Sequence, residues 1–277
     1  MKQMEGTFKS IRNLSIHYQA WLPDGEVKAV LLLVHGIGEY CGRYTNMVNE
    51  FVPLGYAIYG LDHIGHGKSE GEREMVETFD DYLEPIRTYY KMVQEWQPGK
   101  PIFLFGHSLG GLIALDYLLD HQADFRGAII SAPAIKIPST ISPMTITMGK
   151  LLSAIAPSAG VLALDISGLS HDPAVVKAYA EDPLVFHKKT PARLAAEMLK
   201  AMTKVTENIG KISLPFIVLQ GSQDSIVDPG GASMLYEQAG STDKTIKVYE
   251  GFYHEIHNEP ERDREFKDLE TWLSAHL

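Results

Sequence analysis

The stretch Phe103–Leu115 reads FLFGHSLGGLIAL. It begins apolar, breaks at Gly106-His107-Ser108-Leu109-Gly110, and turns apolar again. A serine between two glycines at such a break is either a loose turn or a nucleophile held at the tip of a strand. The flanks decide. Ile102–Phe105 is a short apolar run of the kind buried strands carry, and Leu109–Leu119 has the apolar repeat of a helix. Gly-x-Ser-x-Gly at a strand-to-helix junction is the setting in which a serine is forced onto a sharp turn with its hydroxyl clear of the chain. Glycines on either side let strand and helix pass without a Cβ clash.

Further apolar runs at Ala29–Val34, Tyr56–Leu61, Ala128–Ser131, Phe216–Leu219 and Ile246–Tyr249 read as strands of the same sheet. Phe79–Trp96 places Phe79, Tyr82, Leu83, Ile86, Tyr89, Tyr90 and Val93 on one helical face; Leu109–Leu119 and Arg264–Ala275 are read as amphipathic in the same way. Strands alternating with helices imply an α/β fold, a mostly parallel central sheet with helices on both faces. Thr7–Trp21 alternates weakly and reads as an antiparallel hairpin on the sheet edge.

One region breaks the rhythm. From Ile137 to Leu164, Lys150 is the only charged residue, and Pro133, Pro138, Pro143 and Pro157 interrupt the segment and its approach. It is too broken to span a membrane and too apolar for a plain surface loop. The expected organisation is a core in two parts, 1–133 and 213–277, with a cap inserted at 134–212 that turns one face toward a greasy cavity. A helical subdomain that merely extends the core is the plainer alternative.

A serine hydroxyl needs a base, and the base needs a carboxylate to orient it. In this architecture the order along the chain is serine, acid, histidine. Asp224 follows the run Phe216–Leu219 and His254 follows Ile246–Tyr249, so both lie in loops at the sheet edge that carries Ser108. Asp228, before Pro229, reads rather as a helix cap, and His257 competes with His254 from three residues further on. His63 and His66 come too early and read as a structured turn, with Asp62 holding that loop. A developing oxyanion needs preset donors. The N–H of Leu109 is one, and the N–H of Ile37, in His35-Gly36-Ile37-Gly38, is the other.

Bulk properties narrow the class. The 277-residue chain is 45% hydrophobic and 22% charged, with a net charge of −10. An acidic surface repels phosphate backbones, so nucleic acid is not an expected partner. The single cysteine, Cys41, excludes an intramolecular disulfide and is read as a small packed residue. The start MKQMEGTFKSIRN has no apolar signal run, and no window approaches a membrane span. A soluble cytoplasmic protein is the expectation, with transient membrane-surface contact through the cap left open. Oligomeric state is not legible.

In combination the motifs resemble the monoacylglycerol lipase and lysophospholipase branch of the α/β-hydrolases. The matching residues are His35–Tyr44 (HGIGEYCGRY), Asp62–Ser69 (DHIGHGKS), Gly106–Gly111 (GHSLGG), Asp182-Pro183-Leu184, Gly221-Ser222-Gln223-Asp224 and Tyr253–Glu259 (YHEIHNE). The resemblance covers nearly the whole chain except the middle of the insertion. It implies an α/β-hydrolase fold, a triad of Ser108, Asp224 and His254, and oxyanion donors Ile37 and Leu109. It also implies a polar glycerol-side pocket near Glu39, Arg43, His107, Tyr179 and His257, and a lipophilic cap for an acyl chain. A mutual ion pair of Glu39 and Arg43 that shapes the loop is compatible with that role. Two departures, Tyr40 where the family often has His and Leu109 where it often has Met, bear on pocket shape and not on the reacting groups. The reaction implied is hydrolysis of monoacylglycerols through an acyl-enzyme, with no metal or organic cofactor. A broad carboxylesterase or lysophospholipase is the alternative. An aminopeptidase would need acidic cap residues for the substrate amine, which Ile137–Leu164 lacks. A non-catalytic receptor on this fold would be expected to lack a triad member.

Overall fold

The computed structural model describes residues 1–137 and 143–277. Its centre is an eight-stranded sheet. The strands are β1 (Lys2–Lys9), β2 (Ser15–Leu22), β3 (Ala29–Val34), β4 (Tyr56–Leu61), β5 (Ile102–His107), β6 (Gly127–Ser131), β9 (Phe216–Gly221) and β10 (Lys244–Tyr249); β7 (Gly160–Leu162) and β8 (Thr190–Pro191) form a separate small ladder. The order across the sheet is β1-β2-β4-β3-β5-β6-β9-β10. From β4 to β10 every pairing is parallel; β2 runs antiparallel to both β1 and β4. The N-terminal hairpin therefore sits on the edge as expected.

Parallel strands are covered on both faces, which is why the central runs are continuously apolar. Successive side chains alternate between the two faces. Val30, Leu32 and Val34 of β3 join one core cluster, and Ala29, Leu31 and Leu33 join the other. The first cluster is closed by α2 (Asp80–Trp96), α3 (Leu109–His121), α6 (Ala192–Asn208) and α7 (Gly230–Gln238). The second is closed by α1 (Thr45–Phe51) and α8 (Asp263–Ala275).

One expectation needs correction. Helix α3 is not amphipathic: every residue from Leu109 to Leu118 is buried. The cause is α6, which packs on the outer side of α3 while the sheet covers the inner side. A helix sandwiched between two layers is apolar all round.

Between β6 and β9 the chain forms α4 (Pro143–Ile155), β7, α5 (Pro173–Glu181), β8 and α6. Residues 138–142 of the charge-poor segment lie outside the described residues. Helix α6 packs against α4 as well as α3, and its Leu194, Ala201 and Val205 belong to the main core cluster. The loops after β3, β5, β9 and β10 all leave the same, C-terminal edge of the sheet, and β5 lies near its middle.

Candidate active site

Ser108 occupies the junction of β5 and α3 with φ +57° and ψ −118°, a left-handed backbone that a side chain ordinarily avoids. Four hydrogen bonds hold it there. Its N–H donates to Ser131 O at 2.9 Å, and its carbonyl accepts from Gly111 N, Leu112 N and Ala134 N at 3.0, 3.2 and 3.1 Å. The turn works only because the two flanking motif residues lack side chains. A Cβ on Gly110 would run into Val34 O, and one on Gly106 into Gly110 O.

His254 Nδ1 lies 2.7 Å from Asp224 Oδ2. Asp224 Oδ1 accepts from the N–H groups of Ile226 and Val227 at 2.9 and 3.1 Å. Burial opposes ionisation of Asp224, but His254 and the two N–H groups outweigh it, and its carboxyl is held below the ordinary range. For His254 burial likewise disfavours the charged form; Asp224 reverses the sign, and the net shift is upward. The competing acid, Asp228, instead accepts from Gly230 N at the start of α7 and pairs with Lys136. Ser108 and His254 face one cleft with Gly36, Ile37, Glu39, His107, Leu164, Leu169, Tyr179 and Glu255. Among the described residues the hydroxyl and the imidazole close no hydrogen bond, as is common before substrate tightens a site. Neither Ile37 N nor Leu109 N has a protein acceptor among the described residues, so both amides are free donors beside Ser108. The cavity there is about 10 Å³, space for about one water.

The polar flank of the cleft is a buried ion network. Arg43 donates to Glu39 Oε2 at 2.7 Å and, through both terminal nitrogens, to Glu255 at 2.6 and 2.9 Å. Glu39 Oε1 also accepts from Gly36 N at 2.7 Å and Tyr44 Oη at 2.8 Å. Burial raises Glu39, with Arg43 opposing; for Glu255 Arg43 wins against burial and the net shift is downward. The Arg43 guanidinium lies 4.6 Å over the ring of Tyr179 from α5. The expected Glu39–Arg43 pair thus exists, and Glu255 is a third member that sequence reasoning missed. The signal available was only its position next to His254; its partner is 212 residues away.

His107 lines the cleft, its ring 4.7 Å from that of His254. His257 is placed differently. It is fully buried behind His107, stacked on Tyr44 at 4.7 Å, and does not line the cleft. Burial keeps it neutral, with its pKa pushed down to about 4. His63 and His66 pack with His35 in a buried turn, and Asp62 fastens that loop by accepting from Cys41 N and Lys68 N. Among the described residues no cluster of side chains suits a metal ion.

A sheet of this order, with a serine on the sharp turn after its fifth strand, is the α/β-hydrolase fold. The model of the serine aminopeptidase S33 family matches residues 25–261. The monoacylglycerol lipase of Mycolicibacterium smegmatis is 33% identical over 273 residues, 99% of this chain and 98% of that protein. The monoglyceride lipase of Rattus norvegicus is 36% identical over 260 residues, 93% and 86% of the two chains. The crystal structure of Paleococcus ferrophilus monoacylglycerol lipase superposes with a TM-score of 0.83 at 29% identity, covering 100% of both chains. The chain belongs to the S33 family of α/β-hydrolases, as a monoacylglycerol lipase-like serine hydrolase, and is a carboxylic ester hydrolase.

Proposed function

We propose that the protein hydrolyses monoacylglycerols, with Ser108 as nucleophile, His254 as general base and Asp224 as the carboxylate that orients it. The observation that carries this is the cleft itself. One end holds Ser108 beside the His254–Asp224 pair; the flanks are apolar at Leu164 and Leu169 and polar at Glu39, Tyr179 and Glu255, with Arg43 bound to both carboxylates behind them. A single-chain ester with a polyol head has that division of chemistry. The same residues are also those of a broad esterase, so the reading is one of substrate preference on a common mechanism.

In this reading His254 Nε2 takes the Ser108 proton as Oγ attacks the ester carbonyl. The oxyanion rests on the N–H groups of Ile37 and Leu109. The glycerol oxygen leaves with the proton from His254, and water, activated by the same imidazole, releases the fatty acid. Residues 134–212 act as the cap, with Leu164 and Leu169 on the acyl side. Glu39 and Arg43 present the head-group face, with His107 and Tyr179; His257 acts behind them by packing on Tyr44 and His107.

The test is a rate profile over 1-monoacylglycerols from short to long chains, with p-nitrophenyl esters, a lysophospholipid and an aminoacyl amide alongside. Release of glycerol that depends steeply on chain length is the expected result. Turnover confined to short activated esters would replace the lipase reading with a generic esterase. Ser108→Ala should abolish turnover with the fold intact, and residual activity above a few per cent would remove Ser108 from its role.

A further inference from the structure

We propose that Gln220 is a positioning residue that locks the Asp224 carboxylate toward His254 by donating to the oxygen the imidazole also uses. The proposal rests on the reading of Asp224 and His254 as acid and base. Gln220 is the fifth residue of β9 and is 1% exposed. Its Nε2 lies 2.9 Å from Asp224 Oδ2 and 3.2 Å from Gly221 O. Both neighbours only accept, so the amide nitrogen must face them; the reversed amide would set oxygen against oxygen. Its own Oε1 is buried with no partner among the described residues.

That orphaned oxygen is the informative detail. A buried polar atom without a partner costs free energy, and a Leu or Met would fill a strand position at no such cost. What the glutamine contributes in exchange is one donor, aimed at one carboxylate oxygen. With it Asp224 accepts four hydrogen bonds: Ile226 N and Val227 N on Oδ1, and His254 Nδ1 and Gln220 Nε2 on Oδ2. The two backbone donors fix Oδ1. Gln220 fixes Oδ2 as a second donor beside the imidazole, so the carboxylate cannot rotate away from His254 when the ring cycles between neutral and charged forms.

The experiment is kcat and KM on 1-monodecanoylglycerol between pH 6 and 9 for the whole protein and four variants: Gln220→Met, Gln220→Glu, Asp224→Ala and the double variant Asp224→Ala with Gln220→Met. Gln220→Met should lower kcat roughly ten- to hundredfold, the range of one hydrogen bond to a charged group, with KM little changed. In the Asp224→Ala background the same change should cost less than about twofold, since the oxygen it acts through is gone. Gln220→Glu restores a donor only while its new carboxyl is protonated. Its rate relative to wild type should therefore be highest at pH 6 and fall as pH rises, whereas the Gln220→Met ratio stays level. Losses that multiply in the double variant, or a Gln220→Glu ratio that does not change with pH, would overturn the proposal and leave the triad reading standing. An Asp224→Ala variant with wild-type kcat would overturn both. If Gln220→Met does not fold, the pH dependence of the isosteric Gln220→Glu ratio decides alone.

Discussion

At Ser108 the chain holds a non-glycine residue at φ +57° and fastens it with four backbone hydrogen bonds. Strain of this kind costs on the order of 1–3 kcal/mol and persists only where surroundings enforce it. Ser108→Gly should therefore raise the melting temperature while abolishing turnover; a variant that melts lower would show the turn to be unstrained. A second prediction concerns pH. As the proposed general base, His254 must be neutral to accept the serine proton; burial alone would lower its pKa, but Asp224 outweighs burial and the net shift is upward from the ordinary 6.5. The acid limb of kcat/KM should therefore have its midpoint above 6.5, with activity lost as pH falls. His257, pushed down to about 4, contributes nothing in that range. A pH–rate profile whose midpoint falls below 6 would contradict the pairing. The loops bearing Ser108, Asp224 and His254 were legible because each follows an apolar run and the chain order is constrained. The Arg43–Glu255 pair was not, since nothing local to either residue marks a contact across 212 positions. The burial of His257 behind the cleft was illegible for the same reason.

At the scale of elements, the close crossing of α3 over β3 is the most demanding contact. Gly110 on α3 leaves no room for a methyl group against Val34 O. Gly110→Ala should cost about 1–3 kcal/mol or more and displace the Leu109 amide, so both the melting temperature and kcat fall. A stable, fully active variant would show that helix and strand can separate freely. The central strands were readable because burial on both faces makes them continuously apolar. β1 was placed only in part: of its eight residues Phe8 alone is buried, so it carries almost no hydrophobic signal. The all-round burial of α3 was missed because the helix that covers it, α6, arrives some 80 residues later. A period in one segment reports its own faces and not what a distant segment will lay on them.

At the scale of the whole molecule, two features lie outside the catalytic pair. Glu265 on α8 is fully buried, both its oxygens lack partners among the described residues, and burial raises its pKa to about 8. The unfolded chain releases that proton near 4.5 and the folded chain near 8. Between those values the folded state holds the extra proton, so stability falls as pH rises through this window. Glu265→Gln should flatten the decline in melting temperature between pH 5 and pH 8; an unchanged slope would place the effect elsewhere. The second feature is an apolar surface. Met144, Leu151 and Ile155 on α4 and Val161 and Leu162 on β7 are exposed, although no helix among the described residues is long and apolar enough to cross a membrane. Exposed apolar side chains grouped in this way mark an interaction surface, and Leu151→Ser with Ile155→Ser should reduce co-sedimentation with neutral phosphatidylcholine vesicles. The same pair should leave turnover of a soluble short-chain ester unchanged.

The two outermost strands, β1 and β10, leave a row of backbone donors and acceptors without a neighbouring strand. Each carries lysines, Lys2 and Lys9 on one side and Lys244 and Lys247 on the other. A second molecule that extended the sheet by edge pairing would have to strip water from those ammonium groups, a recognised guard against aggregation. Lys247 is held by Asp268, so replacing it with an apolar residue would expose a β-prone edge, Thr-Ile-x-Val-Tyr, with its guard removed. Resistance to edge-to-edge association at high concentration is thus set by the two margins of the sheet.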